Sequence, residues 1–436
     1  MPTLRLTILL LAALPLSACA TARVEPYRAP GDTGELTRLH ERFRVPAIAA
    51  REFTHQELWS AVGPLVDAAG GPERDEIGRS AEGRPIFRVR FGGGPTRVLL
   101  WSQMHGNEST ATMALADLLR FLAEAPDEPR ARRLAERLSI EIIPMLNPDG
   151  AERFQRRNAL GIDINRDARA LSTPEGRILR EAQRRFRPDF GFNLHDQDVR
   201  ARVGRSDRLA AIALLAPPYN AARDDNAVRL RAKRVAAVVR GAAEPLVRGH
   251  LTRYDDTFNP RAFGDLMQSW GTSTVLIESG GWRDDPEKQY LRRVNFVALL
   301  TALDAIATGA YAAADPAAYD TLPENGRNVG DLLVRGASIV VPGLEPYRAD
   351  VMVEFGDPLE LRNGRIVEIG DLGDSAARDT LDAAGLFLHP GPEALAPGRA
   401  ALMVDRPASF ILRRTRDPAS PAVRRVDASQ YRRTEN

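Results

Sequence analysis

With 436 residues, 44% of them apolar and 27% charged, the chain is ordinary globular material long enough for two domains, which excludes a disordered or fibrous protein. Its 60 basic residues are balanced by 58 acidic ones, a formal charge of +2, so whole-chain electrostatics give no support to a nucleic-acid partner.

The first segment in chain order reads as an export signal. Arg5 precedes an apolar run from Leu6 to Leu16 that is too short to cross a bilayer comfortably, and small residues follow. Within it, Leu16-Ser17-Ala18-Cys19 resembles the lipobox of bacterial lipoproteins, whose cysteine becomes the lipidated first residue of the mature chain. Cys19 is the single cysteine of the sequence, and lipid attachment explains a solitary cysteine in an exported protein better than redox chemistry does. The expectation is a lipoprotein-type signal over 1–19, ordinary signal cleavage being the alternative. The mature chain is then periplasmic or anchored to the outer membrane, through an N-terminal lipid only.

After a lead over 20–50, helical patterning occupies 54–69, and a charged turn at 78–85 enters a strand at 86–91. Four short apolar or β-branched runs, 97–103, 140–146, 189–194 and 272–277, read as buried strands. Helical segments at 109–124, 173–185, 225–243 and 285–308 separate or follow them. This alternation predicts an α/β sheet with helices on both faces over 51–311. Each of the four strands ends in a polar cluster, the arrangement that gathers distant side chains in the crevice beyond the strands' carboxyl ends. A linker at 312–328 leads to a β-rich accessory domain over 329–436. Its expected strands are 337–341, 349–354, 365–369, 385–388, 400–404 and 409–413, in a sandwich or small barrel.

His105 and Glu108, three residues apart between a strand and a helix, are ligand types suited to Zn²⁺. Alone the pair is a weak signal. His195, at a second strand end, completes a two-His, one-carboxylate set of the open, catalytic kind, which leaves a coordination place for water. The remaining histidines, His40, His55, His250 and His389, lack ligand-spaced neighbours and read as surface or structural.

The order His105-x-x-Glu108, Asn147-Pro148-Asp149-Gly150, Arg157-Asn158, Asp163-Ile164-Asn165-Arg166, His195 and Glu278 resembles the M14 family of zinc carboxypeptidases. The resemblance implies an α/β/α sandwich around a mixed, mostly parallel sheet and one Zn²⁺ per chain, held by His105, Glu108 and His195. It implies that Glu278 is the general base and Arg157 stabilises the oxyanion, with neighbouring Arg156 as the alternative. Asn165 and Arg166 would grip the substrate's terminal carboxylate, and Asp163 would fix a ligand histidine's tautomer. Tyr254, two dozen residues before Glu278, would be the family's mobile tyrosine, although its surroundings do not match the usual loop. Phe263 is a candidate for the leaving-residue pocket, with a plain buried aromatic as the other reading.

These implications predict cleavage of an amide beside a free carboxylate in a peptide, possible substrates including cell-wall peptides. An N-acyl amino-acid or ester deacylase on the same site, and a catalytically silent peptide-binding lipoprotein, are the competing readings. From 331 to 391 the chain also resembles the flanking β-domain of amidohydrolases, without their barrel or metal motif, which implies an accessory role.

Overall fold

A computed structural model describes residues 33–68, 71–397 and 401–432; Cys19 and the expected signal lie outside them. The chain begins with helices α1 (Thr33–Phe43) and α2 (His55–Val66), then strands β1 (Glu73–Arg79), β2 (Pro85–Phe91) and β3 (Thr96–Ser102). Next come α3 (Thr110–Glu124), α4 (Pro129–Arg137), β4 (Leu138–Ile143), α5 (Pro148–Glu152), α6 (Pro174–Phe186) and β5 (Phe190–Asp196). The short β6 (Arg202–Val203) and β7 (Ile212–Leu215) precede α7 (Ala227–Ala243), β8 (Leu251–Arg253) and α8 (Phe263–Ser269). Strand β9 (Ser273–Ser279), α9 (Gln289–Thr308) and α10 (Ala317–Asp320) complete this half.

Eight strands pair in the order β1-β2-β4-β3-β5-β9-β7-β8. The pairs β3/β4, β3/β5, β5/β9 and β7/β8 are parallel; β1/β2, β2/β4 and β7/β9 are antiparallel, so the sheet is mixed. Successive side chains of a strand face opposite ways. Val98 and Leu100 of β3 enter a core with α3 and α9, while Leu99 and Trp101 enter a second core with Leu179 of α6 and Phe263 of α8. A strand covered on both faces is apolar throughout, which is why 97–103 reads as a continuous hydrophobic run. Thr54 and Glu57 start α2 with reciprocal capping bonds.

Beyond β10 (Asn325–Gly326), which pairs with β6, a separate seven-stranded sheet forms. It comprises β11 (Gly330–Ile339), β12 (Tyr347–Asp357), β13 (Arg362–Gly370), β14 (Ala377–Asp382), β15 (Phe387–Pro390), β16 (Phe410–Arg413) and β17 (Ala422–Val426). One edge of β11 serves both β14 and β15, so the strands expected as a sandwich or barrel join in a single branched sheet.

Three expectations change. Residues 33–50 are part of the main core rather than a loose lead: Leu36, Phe43, Val45 and Ile48 are buried in it. Arg292 of α9 locks them there, donating to the backbone oxygens of Val45 and Ile48 and pairing with buried Asp117. The expected linker likewise carries α10, whose Tyr319 is buried and accepts a hydrogen bond from the N–H of Ala216 (3.0 Å). Of the strand expected at 400–404, the described residues 401–404 form no strand and contribute a single bridge, from Leu402 to Leu395.

Candidate metal centre and active site

His105 and Glu108 lie on the tight turn between β3 and α3. Gln103 there takes φ 49°, and Gly106 packs so closely on α5 that a Cβ would stand 2.0 Å from the carbonyl carbon of Gly150. Asn147 braces the same turn, donating to the oxygen of Met104 (3.2 Å) and accepting from the N–H of Gly150 (2.9 Å). Asp149 binds Ser80 Oγ (2.7 Å), the N–H of Glu82 (2.9 Å) and Arg84 (2.8 Å). The Asn147–Gly150 motif is therefore a buttress beneath the ligand turn.

His195 and Glu278 come from β5 and β9. The two strands are parallel neighbours in a register that sets His195 directly beside Glu278. Backbone pairing alone thus puts them about 5 Å apart, strand to strand.

One ligand atom from each of His105, Glu108 and His195 lies within 4.8 Å of the other two, and all three residues are buried. The carboxylate of Glu108 bridges the rings: Oε1 is 2.8 Å from His105 Nδ1, and Oε2 is 2.7 Å from His195 Nδ1. Nε2 of His105 meets Asp163 Oδ1 at 2.9 Å, which orients that ring and turns Nδ1 toward Glu108 as its ligand atom. Two imidazole nitrogens and a carboxylate, one ring held from behind, fit a zinc ion with an open coordination position. Burial pushes the Glu108 carboxyl up, but the two imidazoles more than offset this and hold it well below the usual carboxylate range.

Glu278 is the opposite case. It is buried, its Oε2 has no hydrogen-bond partner, and burial together with the charges of Glu108 and Asp196 pushes it well above the usual range. Buried Lys288 secures the end of β9 by donating to the oxygens of Ser279 (3.1 Å) and Gly280 (2.7 Å). Nothing in the sequence pattern singles out this lysine.

The arginine expected at the site is displaced by one residue. Arg157 faces solvent and donates to the oxygen of Gly161 (3.0 Å). Arg156 lies over the centre, with Nη1 2.9 Å from Glu108 Oε1 and Nη2 3.0 Å from Asp163 Oδ2. The cause is Asn158, which anchors the loop through Glu175 (3.0 Å) and the N–H groups of Leu160 and Ile162. That anchoring leaves Arg156 to face two carboxylates and Arg157 to face water.

A cavity of about 320 Å³ opens on the centre, and Arg156, Asn165, Arg166, Tyr254 and Glu278 all line it. Asn165 lies 3.4 Å from His195 Nε2 and accepts from the N–H of Phe263 (2.9 Å). Phe263 itself is a buried core residue whose backbone, not its ring, serves the site. Tyr254 is pushed up to about 12, first by the charge of Glu278 and then by burial, so its phenol stays protonated. A further wall residue is Asp265, buried, accepting from the N–H of Asn259 (2.8 Å) and pushed up to about 7 by burial. It sits on α8, a helix whose patterning gave no hint of a polar role.

Part of the chain is similar in sequence to known proteins. Residues 72–195 match the zinc carboxypeptidase family, Peptidase_M14, a stretch that includes the three ligand residues, Arg156, Asp163, Asn165 and Arg166 but not Tyr254 or Glu278. Carboxypeptidase 2 of Trichophyton tonsurans is 35% identical over 100 residues, 23% of this chain and 18% of that protein. Carboxypeptidase D of Mus musculus is 30% identical over 205 residues, 35% of this chain and 15% of that protein. The chain therefore spans less than a fifth of the length of these relatives. A metallo-carboxypeptidase structure from Burkholderia cenocepacia is 19% identical, with a TM-score of 0.47 over 59% of this chain and 70% of that one. The ligand turn, the Asp163–Arg166 segment and His195 thus lie within the stretch that matches the zinc carboxypeptidase family.

Proposed function

We propose that the protein is a zinc-dependent carboxypeptidase that removes one C-terminal residue from a peptide. The observation that carries this reading is the convergence, in one cavity, of a two-His, one-Glu metal set, a buried carboxylate with an unpartnered oxygen, and adjacent Asn165 and Arg166. When bound, zinc supplies Lewis acidity at the scissile carbonyl and lowers the pKa of water.

The remaining steps belong to the chain's own residues. Asn165 and Arg166 bind the terminal carboxylate, a task suited to the guanidinium fork. Glu278, with an oxygen uncommitted to any other group, takes the proton of the attacking water and passes it to the leaving amine. Arg156, a cation fixed by Glu108 and Asp163, stabilises negative charge on the carbonyl oxygen as it develops. Tyr254, protonated at neutral pH, donates a hydrogen bond to the substrate. Asp265 favours a leaving residue whose side chain carries a cation.

Matched peptides with free and amidated C-termini test the reading. The zinc-loaded protein should cleave the free acids at least tenfold faster. Equal rates would favour a deacylase or amidase that ignores the carboxylate. Export through the 1–19 segment and lipidation at Cys19 belong to the same proposal, since they would bring the enzyme to extracytoplasmic and cell-wall peptides; a radiolabelled fatty acid failing to label the protein would count against them.

A further inference from the structure

A second cavity, of about 290 Å³, adjoins the first and shares Glu108, Arg156, Asp196, Gln197 and Asp198 with it. Asn165, Arg166, Tyr254 and Glu278 do not line it, so it lies across Glu108 and Arg156 from the carboxylate clamp. A peptide with its terminal carboxylate at Arg166 and its scissile carbonyl at Arg156 runs its upstream residues into this space. The outer wall comes from the other sheet: Asp357, Pro358 and Leu359, in the turn between β12 and β13.

The turn is fastened from several directions. Asp357 accepts from the N–H groups of Leu359 and Glu360 (both 3.1 Å), a self-capped turn, and pairs with Arg51 at 3.2 Å. Arg378 donates to the oxygen of Pro358. Behind it, fully buried Asp331 accepts from Arg200 (2.8 Å), Arg378 (3.0 Å) and the N–H of Phe355 (2.8 Å). Arg200 also donates to the oxygen of Phe355 (2.6 Å), and it stands on the loop that leaves the His195 strand. Arg200 thus ties the wall to the loop that leaves the strand bearing His195.

We propose that the C-terminal β-sheet sets substrate length: the Asp357–Leu359 turn closes the upstream side of the site. The substrates are short peptides, with one or two residues before the scissile bond and a free terminal carboxylate. A cavity near the small end of ligand-sized pockets, about 300–1,000 Å³, suits such substrates. This inference rests on the carboxypeptidase reading.

The test is calorimetric binding of N-acetylated two- and six-residue peptides, sharing one C-terminal residue, to zinc-loaded Glu278→Gln protein. The short peptide should bind at least tenfold tighter. Replacing Pro358→Gly and Leu359→Gly together should improve six-residue binding at least tenfold relative to the short peptide. Asp357→Ala, which leaves the Asp331 cluster intact, should shift the ratio the same way by less. Equal binding of the two lengths, or a ratio unchanged in both variants, overturns the proposal. Amidated versions of both peptides separate the two ideas. If they bind as well as the acids yet keep the length preference, the carboxypeptidase reading fails and the wall stands; if no peptide binds, both fall.

Discussion

Each half of the molecule buries a carboxylate on a strand, and the two are treated in opposite ways. Asp331 of β11 is saturated by two arginines and a backbone N–H. Glu278 of β9 is buried too, yet one of its oxygens has no partner, and burial with the charges of Glu108 and Asp196 outweighs the attraction of Arg156 and Lys288. An unsatisfied buried carboxylate costs stability, and a fold retains one where chemistry uses it. A saturated one joins elements. The contrast is what supports the proposed base role of Glu278 and sets it apart from the structural clasp at Asp331.

The largest expected effect comes from breaking the first half of that contrast. Glu278→Gln should lower kcat by about 10²- to 10⁴-fold while leaving zinc content intact, because it removes a proton acceptor and no ligand. Its thermal midpoint should hold or rise, since a neutral amide is cheaper to bury. Loss of folding instead would make Glu278 structural.

Next come the adjacent arginines. Arg156→Ala should cost about 10²- to 10³-fold in kcat, the range for removing a group that stabilises the oxyanion. Arg157→Ala, at the surface, should cost less than about threefold. The reverse order would restore the assignment read from the sequence.

Breaking the clasp should act on stability before turnover. Asp331→Ala leaves Arg200 and Arg378 without their buried partner and should destabilise the protein by about 3–5 kcal/mol, measured by denaturant unfolding. An unchanged midpoint would show that the two sheets do not depend on this contact.

The smallest effect is pH-dependent. Asp265 titrates near 7 in the folded chain instead of its ordinary 3.8, so the folded state holds a proton that the unfolded state has lost between those values. Stability is therefore lost as pH rises from about 4 to about 7, and Asp265→Asn should flatten that slope. In the same variant, preference for a cationic leaving residue should fall about tenfold at pH 8 and change little at pH 6, where the wild-type group is already largely protonated. A preference independent of pH would remove Asp265 from the pocket's chemistry.

Much of the centre was legible in the sequence because it sits at ends of strands that are apolar on both faces. Such strands announce themselves, and His105, His195 and Glu278 follow or close them. What could not be read depends on tertiary partners. Strand β1, Glu73-Arg74-Asp75-Glu76-Ile77-Gly78-Arg79, is a charged edge held by pairs such as Arg88–Asp75, so no apolar pattern marks it and its last two residues fall in the charged turn read at 78–85. Strands β7 and β8 are four and three residues long, fixed by the pairing of β7 onto β9 and of β8 onto β7 rather than by their own pattern. The choice between Arg156 and Arg157 rests on the anchoring of Asn158 by Glu175, a contact 17 residues away. The wall at Asp357–Leu359 depends on Arg51, 306 residues distant, and no spacing rule reaches so far.

Metal analysis of the purified protein and of His195→Ala tests the central claim most directly. One zinc per chain in the first, with X-ray absorption showing nitrogen and oxygen donors at about 2.0–2.2 Å, and none retained in the second is the predicted result. Stoichiometric zinc persisting in His195→Ala would contradict it.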